Sequence, residues 1–237
     1  METFQTVTTE LTVRVPEPEG YVTGLLERPE GAHWLLVLAH GAGAGIRHAF
    51  LEGLASELAS ASIATLRYQF PYMEKHRGRP DSPKVLTATV RAAMAAAAEA
   101  APDLECLAGG KSLGGRMTSH VLSETPHAGV EGSVARVRGL VFFGFPLHAP
   151  GKPSMKRADH LNQVKVPMLF FQGTRDALAD LTLMQSLCAQ MESRATLHVV
   201  DTADHSFHVL KRSGTTDANV LTELARTTAS WAASLEA

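Results

Sequence analysis

Two periods of apolar spacing alternate along this chain. "TVTTELTVRV" alternates β-branched and polar residues, the pattern of a strand with one face in water, and "YVTGLLERP" follows as its antiparallel partner. The pattern then changes. "HWLLVLAHG" is almost continuously apolar, as a strand buried on both faces must be. "HAFLEGLASELASAS" sets Phe50, Leu51, Leu54 and Leu58 on one helical stripe. "SIATLRYQF" is a strand and "PYMEKHRGRPD" a polar loop. "SPKVLTATVRAAMAAAAEAAP" is a helix that opens on Ser82 and Pro83 and is stopped by Pro102. "LECLAGG" is a strand, "SLGGRMTSHVLSE" a helix, and "TPHAGVEGSVAR" a loop.

The second half keeps the rhythm. "VRGLVFFGFP" and "VPMLFFQGTRD" are strands, joined by the irregular "LHAPGKPSMKRADHLNQVK", which has room for one short helix. "DLTLMQSLCAQM" is a helix capped by Asp180, "ATLHVVDTADH" a short strand and loop, and "TDANVLTELARTTASWAASL" a closing amphipathic helix. Strands that alternate with helices build a mostly parallel central sheet with helices on both faces, preceded by antiparallel N-terminal strands. With no internal repeat or linker, residues 1–237 read as one α/β domain.

Composition narrows the function classes. Hydrophobic residues make up 45% and charged residues 19%, with a net charge of −2, so the basic surface that a phosphate backbone demands is missing and no nucleic-acid partner is expected. Cys106 and Cys188 are too few for a disulfide framework. "METFQTVTTE" has neither a basic nor an apolar leader region, and the alanine tract is too short to span a bilayer. The expectation is a cytoplasmic protein without membrane attachment, monomeric or homodimeric.

Chemistry enters at "LECLAGGKSLGGRM". Gly-Lys-Ser is the tail of a phosphate-binding loop, but that loop needs a glycine at position 105, where Glu105 stands. Gly110-Lys111-Ser112-Leu113-Gly114 also reads as Gly-x-Ser-x-Gly, the strand-to-helix turn that exposes a nucleophile. A serine hydroxyl is a poor nucleophile and needs an imidazole base oriented by a carboxylate. On this architecture acid and base follow the serine in that order, each after a later strand. Asp176 ends "VPMLFFQGTRD", and His205 follows the last strand in "DTADHSFHV". His198 reads as a strand histidine, and His205 with His208 lacks the further ligands a metal site needs. The developing oxyanion requires two backbone donors, for which Leu113 and Ala42, in "LAHGAGAGIRH", are the candidates. The same glycines begin a dinucleotide fingerprint, but its third glycine is Ile46 and the next strand ends on Gln69, not on an acid. No cofactor or metal is expected.

At these residues the chain resembles the α/β-hydrolase superfamily, and within it the small lidless branch near dienelactone hydrolases. "HGAGAG", "RYQFPYMEKHRGRPD", "GGKSLGGRM", "GFPLHAPGKP", "GTRDAL" and "DHSFHVLKRSG" are similar to an uncharacterised hydrolase-like family that also includes chromatin-complex subunits and testis-expressed proteins. The resemblance implies an α/β-hydrolase fold with a minimal cap, and Ser112, Asp176 and His205 as the triad. Dienelactone hydrolases proper use cysteine where Ser112 stands, and the resemblance brings no known substrate. Around the site, His40, Gly41, Tyr72, Arg77 and His148 are candidates for the substrate pocket, and Lys111 is a surface or structural side chain with the charge to give the site a positive rim. The expected activity is hydrolysis of a small-molecule acyl substrate, an ester or thioester, through an acyl-enzyme. Amide or peptide cleavage by the same triad, and a weakly active or non-catalytic interaction module, are the alternatives.

Overall fold

The computed structural model describes residues 6–124 and 132–235. The first part of the loop expected in "TPHAGVEGSVAR", residues 125–131, lies outside them. Strands β1 (Thr6–Val15) and β2 (Gly20–Pro29) form the expected antiparallel pair. After them come β3 (Trp34–Ala39), α1 (Ala49–Ser60), β4 (Ile63–Tyr68), α2 (Pro71–Glu74), α3 (Pro83–Ala100), β5 (Glu105–Lys111) and α4 (Leu113–Ser123). The remainder is β6 (Val137–Phe143), β7 (Met168–Gly173), α5 (Leu181–Met191), β8 (Ala195–Val200) and α6 (Asp217–Ala233). The segment "PYMEKHRGRPD" is not loop throughout. Pro71 supplies the fixed φ of a first helical turn, and α2 is one turn long.

The strands make one sheet in the order β1-β2-β4-β3-β5-β6-β7-β8, with every pair from β4 to β8 parallel. This is the α/β-hydrolase fold. Strands β3, β4 and β7 are buried throughout, whereas β1 and β8, at the two edges, are largely open to solvent. The period of two along β3 splits its side chains between two cores. Leu35 and Val37 pack with residues of α3, α4 and α5, such as Val90, Met117 and Met184. Trp34, Leu36 and Leu38 pack with Leu54 of α1 and Leu224 of α6. Helices therefore cover both faces, and burying a leucine of this kind is worth about 2 kcal/mol.

The strand order places β5 at the centre, between β3 and β6. The carboxyl ends of the parallel strands open on one side of the sheet, where ligands of open α/β sheets bind. Among the described residues no helix is long and apolar enough to cross a membrane. The connection between β6 and β7 carries one short 3-10 segment (Lys156–Gln163), which packs on the flank of α4. There His160 stacks on His120 at 3.7 Å and its Nε2 lies 2.8 Å from Ser119 Oγ.

Candidate active site

At the end of β5 the chain turns into α4 without a spacer. Ser112 sits at the turn with φ 50° and ψ −114°, a conformation that costs an L-residue of order 1–3 kcal/mol and that packing must hold. Two close approaches hold it. A Cβ on Gly110 would lie 2.4 Å from the carbonyl oxygen of Ala39, and one on Gly114 would lie 2.6 Å from that of His40. Neither fits, so glycine at both positions lets the turn press against the end of β3. The serine is thereby lifted above the sheet with α4 beginning directly behind it.

The structure brings Ser112 together with the two other residues singled out in the sequence. Ser112 Oγ is 2.8 Å from His205 Nε2, and His205 Nδ1 is 2.7 Å from Asp176 Oδ2. The serine and histidine are 93 residues apart in the chain, the histidine and aspartate 29. The Asp176 side chain is fully buried, and the ring of His205 retains some exposure. Asp176 follows β7 and receives two further bonds. Leu178 N–H donates to Oδ1 at 2.7 Å, and Gln172 Nε2 donates to Oδ2 at 2.8 Å. Burial by itself pushes the Asp176 carboxyl up, but the bond and charge of His205 with the two amides hold it below the ordinary value. It is therefore a carboxylate at neutral pH and accepts from Nδ1–H, which leaves Nε2 free to accept from the serine.

Gln172 is the residue of this arrangement that the sequence reading passed over. It is fully buried in a strand that is otherwise apolar, "MLFFQG". A lone amide in a buried strand four residues before an acid was the available signal, since a buried polar group needs a partner.

The loop after β3 supplies Gly41 and Ala42. A Cβ on Gly41 would lie 3.7 Å from Ser112 Cβ, which places this loop beside the serine. Among the described residues neither the Ala42 nor the Leu113 N–H donates to a protein acceptor. The loop is held from below. Gly43 N–H donates to Tyr72 Oη at 3.0 Å, Ile46 N–H to Gln69 Oε1 at 3.2 Å, and buried Arg67 donates to Ile46 O at 3.0 Å while it pairs with Glu27.

A cavity of about 660 Å³ opens over Ser112 and His205. Its walls include Gly41 and Ala42 on one side, Phe50 and Leu51 of α1, Leu178, and Phe207. No residue of the β6–β7 connection lines it, in keeping with the minimal cap expected.

Four of the five pocket candidates do other work, and here the sequence reading is corrected. Of the five, Gly41 lines the cavity. His40 is fully buried, with Nδ1 2.7 Å from Gly41 O and Nε2 accepting Phe70 N–H at 3.1 Å. Tyr72 is buried under the loop that it supports. Arg77 pairs with Glu19 and Asp81, because the β1–β2 turn comes within reach of the segment after α2. His148 clamps the chain beyond Asp176: its own N–H donates to Leu178 O, and its Nε2 accepts Asp180 N–H at 2.8 Å. Asp180 caps α5 by accepting Leu183 N–H.

Lys111 is half-buried on the cavity wall, and its ammonium donates to the carbonyl of His205. His208 stands at the mouth, paired to Asp217 at 2.7 Å, and that carboxylate pushes its pKa up. His198 is tied to Glu223 at 2.6 Å.

Residues 32–233 match the model of a family described as the alpha/beta hydrolase domain. Among solved structures, the chain is similar to a dienelactone hydrolase from Anabaena variabilis (21% identity, TM-score 0.73, 96% of this chain and 97% of that one). It is also similar to an α/β serine hydrolase without a lid from Xanthomonas campestris (18%, 0.70, 98% of each chain). A third is an α/β serine hydrolase homologue from Coxiella burnetii (18%, 0.70, 93% and 96%). At these identities the likeness is one of fold.

Proposed function

The chain belongs to the alpha/beta hydrolase family, and on that premise we propose that it is a serine hydrolase of small ester or thioester substrates with Ser112 as nucleophile, His205 as base and Asp176 as the orienting acid. One observation carries this reading. The hydrogen-bond chain from Asp176 through His205 to Ser112, at 2.7 and 2.8 Å, ends on a serine at the floor of an open cavity.

The chemistry follows from the donors and acceptors. Ser112 Oγ attacks the substrate carbonyl carbon while His205 Nε2 takes its proton. Asp176, held ionised, stabilises the imidazolium and fixes its tautomer. Negative charge gathers on the former carbonyl oxygen, and the N–H groups of Ala42 and Leu113 are the donors assigned to it, each worth about 10²–10³ in rate. Collapse returns the electron pair, breaks the bond to the leaving group and passes the Nε2 proton to it. Water then adds to the acyl carbon while His205 takes its proton, the bond from that carbon to Ser112 Oγ breaks as Nε2 returns the proton to Oγ, and the acid leaves.

The cavity falls within the ordinary size for small-molecule sites, and its walls at Ala44, Phe50, Leu51 and Leu178 favour an apolar acyl or alcohol group. The test is a fluorophosphonate probe with peptide mapping of the adduct. Labelling at Ser112 that is lost in Ser112→Ala is the expected result. A folded protein that takes no label at Ser112, beside a labelled control hydrolase, ends the proposal.

A further inference from the structure

Lys111 is the last residue of β5 and directly precedes the nucleophile. Its side chain leaves the elbow and crosses to the loop after β8, where Nζ donates to the carbonyl oxygen of His205, 94 residues away. The rings of Phe50 and Phe207 stack on each other at 5.6 Å, and Nζ lies 5.9 and 5.5 Å from their centroids. A third element has made room. Gly144, just past β6, has φ 73°, and a Cβ there would lie 3.2 Å from Nζ and 3.4 Å from the His205 ring.

An ammonium is costly to bring under a protein surface, so its hydrogen bond and ring contacts need a reason. His205 supplies one. It lies in the irregular stretch between β8 and α6, two residues before Phe207, whose φ is 66°. Neighbouring bonds shape that loop: Asp204 N–H donates to His208 O, and Phe207 N–H to Asp204 O. Among the described residues, however, the hydrogen-bond partner of the His205 backbone itself is Lys111. The bonds from the ring to Asp176 and Ser112 set its rotation. They do not set where the backbone carries it.

We propose that Lys111 is a positioning residue: by holding the His205 carbonyl it fixes the imidazole between Ser112 and Asp176. The proposal rests on the serine-hydrolase reading above. It gives the residue between Gly110 and Ser112 a duty that no property of the turn requires. Burial pushes the ammonium down to about 8, against the pull of Asp176 and Asp204, so it carries charge at neutral pH. A misplaced base is expensive, since a displacement of about 1 Å can cost about 10²-fold in rate.

The experiment compares wild type with Lys111→Met, which keeps the length and the contacts with both rings but removes the donor. Turnover is measured on p-nitrophenyl acetate and on the p-nitrophenyl monoester of succinic acid. Proton NMR follows the far-downfield Nδ1–H signal of His205 on Asp176. In Lys111→Met, kcat should fall about 10- to 100-fold on both esters, KM should stay within about twofold, and the downfield signal should broaden or vanish. Unchanged kcat with an unchanged signal overturns the proposal. So does a rise in KM confined to the succinate ester, which would make Lys111 an anchor for anionic substrates at the cavity wall. Should Lys111→Met fail to fold, Lys111→Arg, which keeps a donor, must retain the signal in folded protein, and its loss there overturns the proposal too. If wild type neither takes the fluorophosphonate nor turns over ester, the serine-hydrolase reading fails. The downfield signal still reports whether Lys111 holds His205.

Discussion

Acid should destabilise this protein through one buried histidine. His40 follows β3 and has no exposed surface. Its Nε2 accepts Phe70 N–H at 3.1 Å, so the ring proton sits on Nδ1, 2.7 Å from Gly41 O. Protonation would turn Nε2 into a donor facing a donor, inside an aromatic pocket where Phe70 meets the ring edge-on at 4.9 Å. Burial lowers its pKa from 6.5 to about 4, and the bond to Gly41 offsets only part of the effect. Between those two values the unfolded chain binds a proton that the folded chain refuses, so stability falls as pH drops through that window. At about 1.4 kcal/mol per pKa unit the loss from this residue approaches about 3 kcal/mol near pH 4. That is a large share of an ordinary net stability of about 5–15 kcal/mol.

The assay is urea unfolding of wild type and His40→Gln at pH 7.5, 6.5, 5.5 and 4.5. Gln accepts hydrogen bonds through its oxygen and does not titrate in this range. The variant should be the less stable at pH 7.5, and the gap should shrink by about 1.4 kcal/mol per unit below pH 6.5. His160, whose pKa burial lowers to about 3, acts in the same direction, but it is present in both proteins and cancels in the difference. Parallel stability curves for the two proteins would refute the reasoning.

The remaining predictions concern the site. In Asp176→Asn one amide must face either Leu178 N–H or the donors Gln172 and His205, which all point at the carboxylate now. Turnover of p-nitrophenyl acetate should fall about 10⁴-fold, and a fall under tenfold would remove Asp176 from its assigned role. Ser112→Gly should abolish the same turnover and raise unfolding free energy by about 1 kcal/mol, because glycine relieves φ 50°. A lower melting temperature would show that the turn is held by contacts of the serine side chain.

Much of the site was legible because its chemistry is written in short stretches. A strained elbow must have small residues at its two flanks, so Gly110, Ser112 and Gly114 mark it within five positions. Asp176 and His205 were readable because a parallel sheet sets acid and base on loops after later strands, and the buried strands announce themselves.

The sequence by itself determined the order of strands and helices, the elbow, and which serine, aspartate and histidine to compare. Those features depend on neighbours along the chain and on a period of two or near four. Only the tertiary structure decided where His40, Tyr72, Arg77, His148 and Lys111 point. Each lies beside the site in sequence terms; His40, Tyr72 and His148 turn into the scaffold, where Phe70, Gly43 and Asp180 meet them, and Arg77 stays exposed and pairs with Glu19. Lys111 stays on the cavity wall and reaches across it to His205. A polar side chain goes where its partner is, and the partners lie tens of residues away, brought into reach by packing that no local pattern records.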